Sequence, residues 1–231
     1  MSAASGPWGG GRWHLHDVTC PLDAVNFPGD RPVAVHGPLN VLAGTDPEYF
    51  YNIDLTTQSG THVQAPHCFL RDGARVGDVP LGRFEGWAHV VDAPRRGTDT
   101  TIDDVRAALD GVDLAGRIVV LRTGHMDELA AGAPLDGATR PGLAMEAAQW
   151  LVARGVSMVG IDSVGLESRA STCYAVNVFL CESDVLILEG LLGLDALDAA
   201  LPAWLEAFPL RLGGVEGTPC RAVVRQPART R

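Results

Sequence analysis

The 231-residue chain contains no lysine. A Schiff-base amine, a lysine general base and the lysine of a phosphate-binding loop are thereby excluded, and any catalytic cation has to be Arg, His or a metal ion. Long apolar runs are also missing. The longest span a handful of residues, far below the ~20 that a membrane helix needs. An excess of basic charge is missing too: the net charge is −10, which repels nucleic acid and anionic membrane and leaves a small molecule as the favoured partner. Cys20, Cys68, Cys173, Cys181 and Cys220 are odd in number and scattered without a CxxC pair. They suggest neither a disulfide framework nor a zinc ribbon, they fit a reducing cytoplasm, and Cys173, Cys181 and Cys220 read as packing residues. No repeat, linker or shift in composition divides the sequence, so one domain is expected over residues 12–231. Met1 to Gly11, Gly-rich and without an apolar h-region, reads as a disordered leader and not as a signal peptide.

With 46% hydrophobic and 20% charged residues, the chain has the make-up of a soluble domain able to bury a full core. Its first half reads as strands and loops: Ala34 and Val35, Leu39 to Leu42, and the alternating Phe50 to Leu55. Gly86 to Ala93 (GWAHVVDA) and Gly116 to Arg122 (GRIVVLR) are β-branched runs of the kind buried in a sheet. Between them Thr101 caps a helix over Asp103 to Leu109, with two acidic residues in its first turn. Leu143 to Arg154 is an amphipathic helix stopped by Gly155. The strand Val156 to Ile161 follows and delivers Asp162 to a strand's carboxyl end, where ligand sites of α/β sheets tend to lie. Val185 to Leu188 reads as another strand, Leu194 to Leu201 as a short helix, and Phe208 to Arg211 with Arg221 to Val224 as a closing strand pair.

The stretch Gln58 to Gly73, QSGTHVQAPHCFLRDG, concentrates the chemistry. His62, His67 and Cys68 place imidazoles and a thiol in a polar, Gly-rich loop, all able to titrate or bind metal near neutral pH. The stretch resembles the signature H-x-G-T-H-x-D-x-P-x-H of the cyclase family, which includes kynurenine formamidases and isatin hydrolases. Gly60, Thr61, His62, Pro66, Phe69, Asp72 and Gly73 fall in register with it. Resemblance extends to Asp17 to Asp30 with its PGD turn, to Arg122 to Gly124 (RTG), and to Pro141 to Asp162. It continues through Val185 to Leu191 and Phe208 to Val223. It implies an α/β fold: a single domain with a mixed β-sheet or barrel flanked by helices, of the swivelling β/β/α kind. It also implies a homodimer or homotetramer.

The family's metal ligands carry over to Gln58, His62, Gln64, Asn177 and Glu189, so only His62 and Glu189 keep a ligating side chain. The signature's last His falls on Cys68, with His67 beside it. Amide oxygens hold zinc or manganese poorly, and one carboxylate does little to offset the repulsion between two divalent ions. No metal cofactor is therefore expected, the alternative being a single zinc or manganese held by His62 and Glu189 with Cys68 or His67. Each replacement is nevertheless polar. The expectation is metal-independent acid/base chemistry on a carbonyl compound (ring closure, dehydration or isomerisation, in specialised metabolism) with His62, Cys68 and Glu189 catalytic. Gln58, Thr61, Gln64, His67, Asn177, Phe27, Trp87 and His125 are the expected substrate-binding residues. Two alternatives stand beside it: a metal-dependent amide or lactone hydrolase, and a non-catalytic small-molecule-binding protein.

Overall fold

Alternation along the central strands decides how the chain divides into layers. In Ile118–Arg122, Ile118 and Val120 point to one apolar cluster while Val119 and Leu121 point to another. A strand buried on both faces needs a covering layer on each side. Here one face is the inside of a barrel and the other is roofed by helices. The computed structural model describes residues 12–27, 30–40, 49–93, 98–136, 140–169, 171 and 173–228. The expected leader 1–11, Pro28 and Gly29 of the PGD turn, and residues 41 and 42 of an expected strand lie outside the described residues.

In chain order the strands are β1 (Trp13–Asp17), β2 (Ala34–Asn40), β3 (Tyr49–Asp54), β4 (His62–Gln64), β5 (Glu85–Asp92) and β6 (Asp99–Thr100). They continue as β7 (Ile118–Arg122), β8 (Gly142–Leu143), β9 (Met158–Ile161), β10 (Leu186–Glu189), β11 (Ala203–Pro209) and β12 (Gly217–Pro227). The helices are α1 (Ile102–Leu109), α2 (His125–Ala130), α3 (Met145–Ala153) and α4 (Ala175–Glu182). Strands β12, β11, β5, β7, β9, β10 and β4 follow one another in a sheet, and β4 pairs back onto β12, closing a seven-stranded barrel. Within the barrel β5, β7, β9 and β10 run parallel and the other pairings are antiparallel. One edge of β12 takes β4 along its first residues and β1 along its last.

Inside the barrel pack Val63, Ala88, Val120, Leu188, Leu205 and Val224 among others. Outside, Leu121, Val159 and Ile187 meet Leu109 of α1, Trp150 and Leu151 of α3, and Leu180 of α4. Each such aliphatic side chain contributes about 1.5–3 kcal/mol on burial. α1 starts with a capping box in which Thr101 and Asp104 satisfy each other's backbone N–H groups. The expected α/β single domain with a barrel and flanking helices is the architecture observed.

Three local expectations are corrected. Leu194 to Leu201 makes only one 3-10 turn, Leu194–Ala196, because Leu197 turns to an extended conformation, where the Arg122 guanidinium donates to its carbonyl as well as to that of Leu194. The closing strand pair begins earlier than expected, at Ala203, and β12 runs on to Pro227. Cys173, expected as a packing residue, is exposed, whereas Cys181 and Cys220 are buried. Apart from the barrel, β2 and β3 form a hairpin in which every residue of β3 is exposed.

Candidate active site

The site forms on the outer face of the barrel, where β4 meets β10. In β4 the period-two alternation sends Val63 into the barrel and His62 and Gln64 outward together. Antiparallel register sets Glu189, the last residue of β10, opposite His62. These three side chains form one network. Gln64 Nε2 donates to Glu189 Oε2 at 2.9 Å and lies 2.9 Å from His62 Nε2. His62 Nδ1 lies 2.9 Å from Gly60 O, which can only accept. Nδ1 therefore carries the hydrogen and Nε2 accepts from the amide. Leu166 N donates to the other oxygen of Glu189 at 2.8 Å. All three residues are at most 4% exposed.

A cavity of about 470 Å³ opens beside this network, with Gln64 and Glu189 in its wall. Phe27 and Phe69 supply apolar lining, and Phe27 packs edge-on against the His62 ring at 5.7 Å between centroids. Gln58 also lines it, donating to Glu216 Oε1 at 3.3 Å and contacting Cys68 Sγ at 3.7 Å. Burial pushes the Cys68 thiol up to about 12, reinforced by Cys181, Glu216 and Glu189, so it remains a thiol at neutral pH. Glu216 is held below the usual carboxylate range: burial acts to raise it, but hydrogen bonds from Thr57, its own backbone and Gln58, with His62 nearby, outweigh that.

Asn177 reaches the cavity from the first turn of α4. That helix is capped from a distance, because Glu167 accepts the N–H groups of Val176 and Asn177. Its preceding residue, Tyr174, adopts φ 54°, and no local cap signal marks the start. Glu167, Arg140, Asp30 and Tyr174 all line the cavity. None was singled out by sequence reasoning, since lone charges and one aromatic in loop segments carry no distinguishing spacing.

Four expected binding residues lie elsewhere. Thr61 sits behind the site with its hydroxyl fully used, donating to Gly190 O and accepting from Cys20 N. His67 is outside the cavity lining; its backbone N–H bonds to Ala74 O. Trp87 stacks edge-on against Trp204 on β11, on the strand phase opposite the barrel-facing Ala88 and Val90. His125 lies in the first turn of α2 with Nδ1 at 2.9 Å from Ser163 Oγ, and its pKa is lowered chiefly by burial. Nearby Asp162, at the end of β9, accepts from Thr123 N, Thr123 Oγ1 and Gly124 N and so fixes the RTG turn. Burial raises its pKa to about 7 despite these hydrogen bonds.

The donor set does not fit a metal pair. Among the described residues no three His, Cys, Asp or Glu side chains gather around one point. Between the two surviving ligand types lies an amide nitrogen, which offers hydrogens where a cation would need lone pairs.

The Cyclase family model matches residues 16–168, well over half of the chain, and ends before Asn177 and Glu189. Isatin hydrolase A from Ralstonia solanacearum is 24% identical, with a TM-score of 0.80 over 92% of both chains. Isatin hydrolase A from Labrenzia aggregata, bound to benzyl benzoate, is 21% identical with a TM-score of 0.81 over 94% of both chains. A protein from Bacillus stearothermophilus, described as a predicted metal-dependent hydrolase, is 25% identical with a TM-score of 0.74 over 93% of this chain and 98% of its own.

Proposed function

The chain belongs to the Cyclase family, and on that premise we propose an enzyme that moves protons on a carbonyl-bearing small molecule without a metal. Ring closure, dehydration and isomerisation share this chemistry. The observation that carries the reading is the Gln64 amide nitrogen lying 2.9 Å from both His62 Nε2 and Glu189 Oε2. A hydrogen-bonded bridge links the two groups that elsewhere would share a cation.

In this reading Glu189, the ionisable member of the network that lines the cavity, is the catalytic acid/base. Leu166 N–H and the Gln64 amide orient its two oxygens, so proton exchange needs little reorganisation. His62 is a positioning residue acting through Gln64. The amide of Asn177 offers hydrogens to a developing enolate oxygen, while Gln58 holds Glu216 and Cys68 at the cavity wall. Cys68, as a thiol, serves as a donor or packing group and not as a nucleophile.

The test is metal analysis of protein purified without chelator, joined to product screening on aryl ketones and lactones with and without EDTA. We expect substoichiometric metal and EDTA-insensitive turnover. Stoichiometric zinc or manganese with turnover lost to EDTA overturns the proposal in favour of a metal-dependent hydrolase. Self-association into a homodimer or homotetramer belongs to the same proposal. The exposed Tyr49, Tyr51 and Ile53 on the β2–β3 hairpin support it, and light scattering tests it.

No helix among the described residues is long and apolar enough to cross a membrane.

A further inference from the structure

The cavity's hydrogen-bonding ledger is one-sided. Gln64 Oε1 and Asn177 Oδ1 are buried atoms without a hydrogen-bond partner among the described residues, and both residues line the cavity at 2% and 3% exposure. The Gln64 amide cannot be turned to remove the problem, because Glu189 Oε2 needs its nitrogen. Asp30, also in the lining, has a carboxylate oxygen, Oδ2, that is likewise buried and without a partner among the described residues. All three orphaned groups are acceptors. A buried acceptor left alone keeps the full cost of its desolvation, so a ligand that brings N–H groups recovers that cost.

Charge has the same sign. Among the described residues the lining holds three carboxyl groups, Asp30, Glu167 and Glu189, against one guanidinium, Arg140, whose Nη1 already donates to Gly165 O. Phe27, Phe69 and Tyr174 add aromatic faces, which attract cations.

We propose that the substrate carries a primary ammonium group as well as its carbonyl, with Asp30 as the carboxylate that selects it. The ammonium supplies three N–H donors, matching the three buried acceptor atoms of Asp30, Gln64 and Asn177. The inference rests on the reading of this cavity as the reaction site. It does not require the reaction to be metal-free.

Calorimetric titration of the full chain with three matched aryl ketones tests it: para-(aminomethyl)acetophenone, para-methylacetophenone and para-acetylbenzoate. The ammonium compound should bind at least about tenfold more tightly than the methyl compound, and the benzoate most weakly. In Asp30→Asn the preference should shrink to within about threefold, with the melting temperature unchanged as evidence that the fold is kept. Equal or tighter binding of the neutral or anionic ketone overturns the inference. So does absence of binding by the ammonium ketone at millimolar concentration, or an undiminished preference in Asp30→Asn. Binding is read without turnover or metal. An EDTA-sensitive, metal-loaded enzyme that still prefers the ammonium ketone sinks the proposed reaction alone; a metal-free enzyme without the preference sinks this inference alone.

Discussion

Replacing Gln64 by Glu converts the bridge into a collision. The side chain keeps its length, but an oxygen replaces the nitrogen that lies 2.9 Å from Glu189 Oε2. At that 2.9 Å separation two carboxylates repel by about 6 kcal/mol at an effective dielectric of about 20. The folded chain relieves this by keeping the introduced carboxyl protonated, so its folded pKa lies above the ordinary carboxylate value. The sign follows: stability is fully present below that ordinary value and is lost as pH rises through the raised one. One proton changes stability by about 1.4 kcal/mol per pH unit, hence by about 4 kcal/mol between pH 5 and pH 8. For a domain of this size that is a fall in melting temperature of about 8–16 °C relative to wild type. Gln64→Leu is the control. It removes a bond to a carboxylate worth about 1.5–3 kcal/mol and a weaker one to His62, but also deletes the orphaned Oε1. A net loss of about 1–3 kcal/mol, equal at both pH values, is expected. Thermal melts of both variants at pH 5 and pH 8, each subtracted from wild type, give the answer. A Gln64→Glu protein as stable as wild type at pH 8, or with the same deficit at both pH values, would refute the bridge.

Because burial raises the Asp162 pKa to about 7, its contribution to stability is fully present below the ordinary Asp range and lost as pH rises through about 7. Urea midpoints should therefore fall between pH 6 and pH 8 in wild type and flatten in Asp162→Asn. Iodoacetamide at pH 7.5 should label exposed Cys173 quickly and Cys68 slowly, as peptide mass mapping will show, because the Cys68 thiol titrates at about 12. Gly190 has φ +73°, and a Cβ there would meet Phe27 Cζ at 2.6 Å and Gly60 O at 2.7 Å. Gly190→Ala should cost about 2–4 kcal/mol by chemical denaturation and displace Phe27 from His62. The triple variant Gln58→His, Gln64→Asp, Asn177→His should bind zinc or manganese more tightly than wild type, as equilibrium dialysis will measure.

The parallel strands were legible because they are β-branched runs at the centre of the sheet, and α3 because its stripe is bounded by Gly155. α4 was not legible. Its sequence AVNVFLCE is apolar nearly throughout, its cap is Glu167, and its start is a left-handed tyrosine. The juxtaposition of His62 and Glu189 came from resemblance alone, since strand register across 127 positions leaves no local trace. Trp87, out of phase with Ala88 and Val90, shares the outer face with His62, but β7 and β9 stand between β5 and β10, a strand order with no local trace in the sequence. Glu216, Arg140 and Asp30 are single charges in turns, and only the folded chain assembles them around Gln58 and the cavity.

The barrel is shut by β12, which follows every other strand in sequence. On a ribosome, β11, β5, β7, β9, β10 and β4 are therefore all synthesised while the ring still lacks its clasp, and any sheet they form has β11 and β4 as raw edges. His62 and Gln64 then belong to an edge strand, the position at which a partly made chain is most easily captured by another. A nascent molecule thus carries His62 and Gln64 on its least protected border, and the step that closes the ring also ends that exposure.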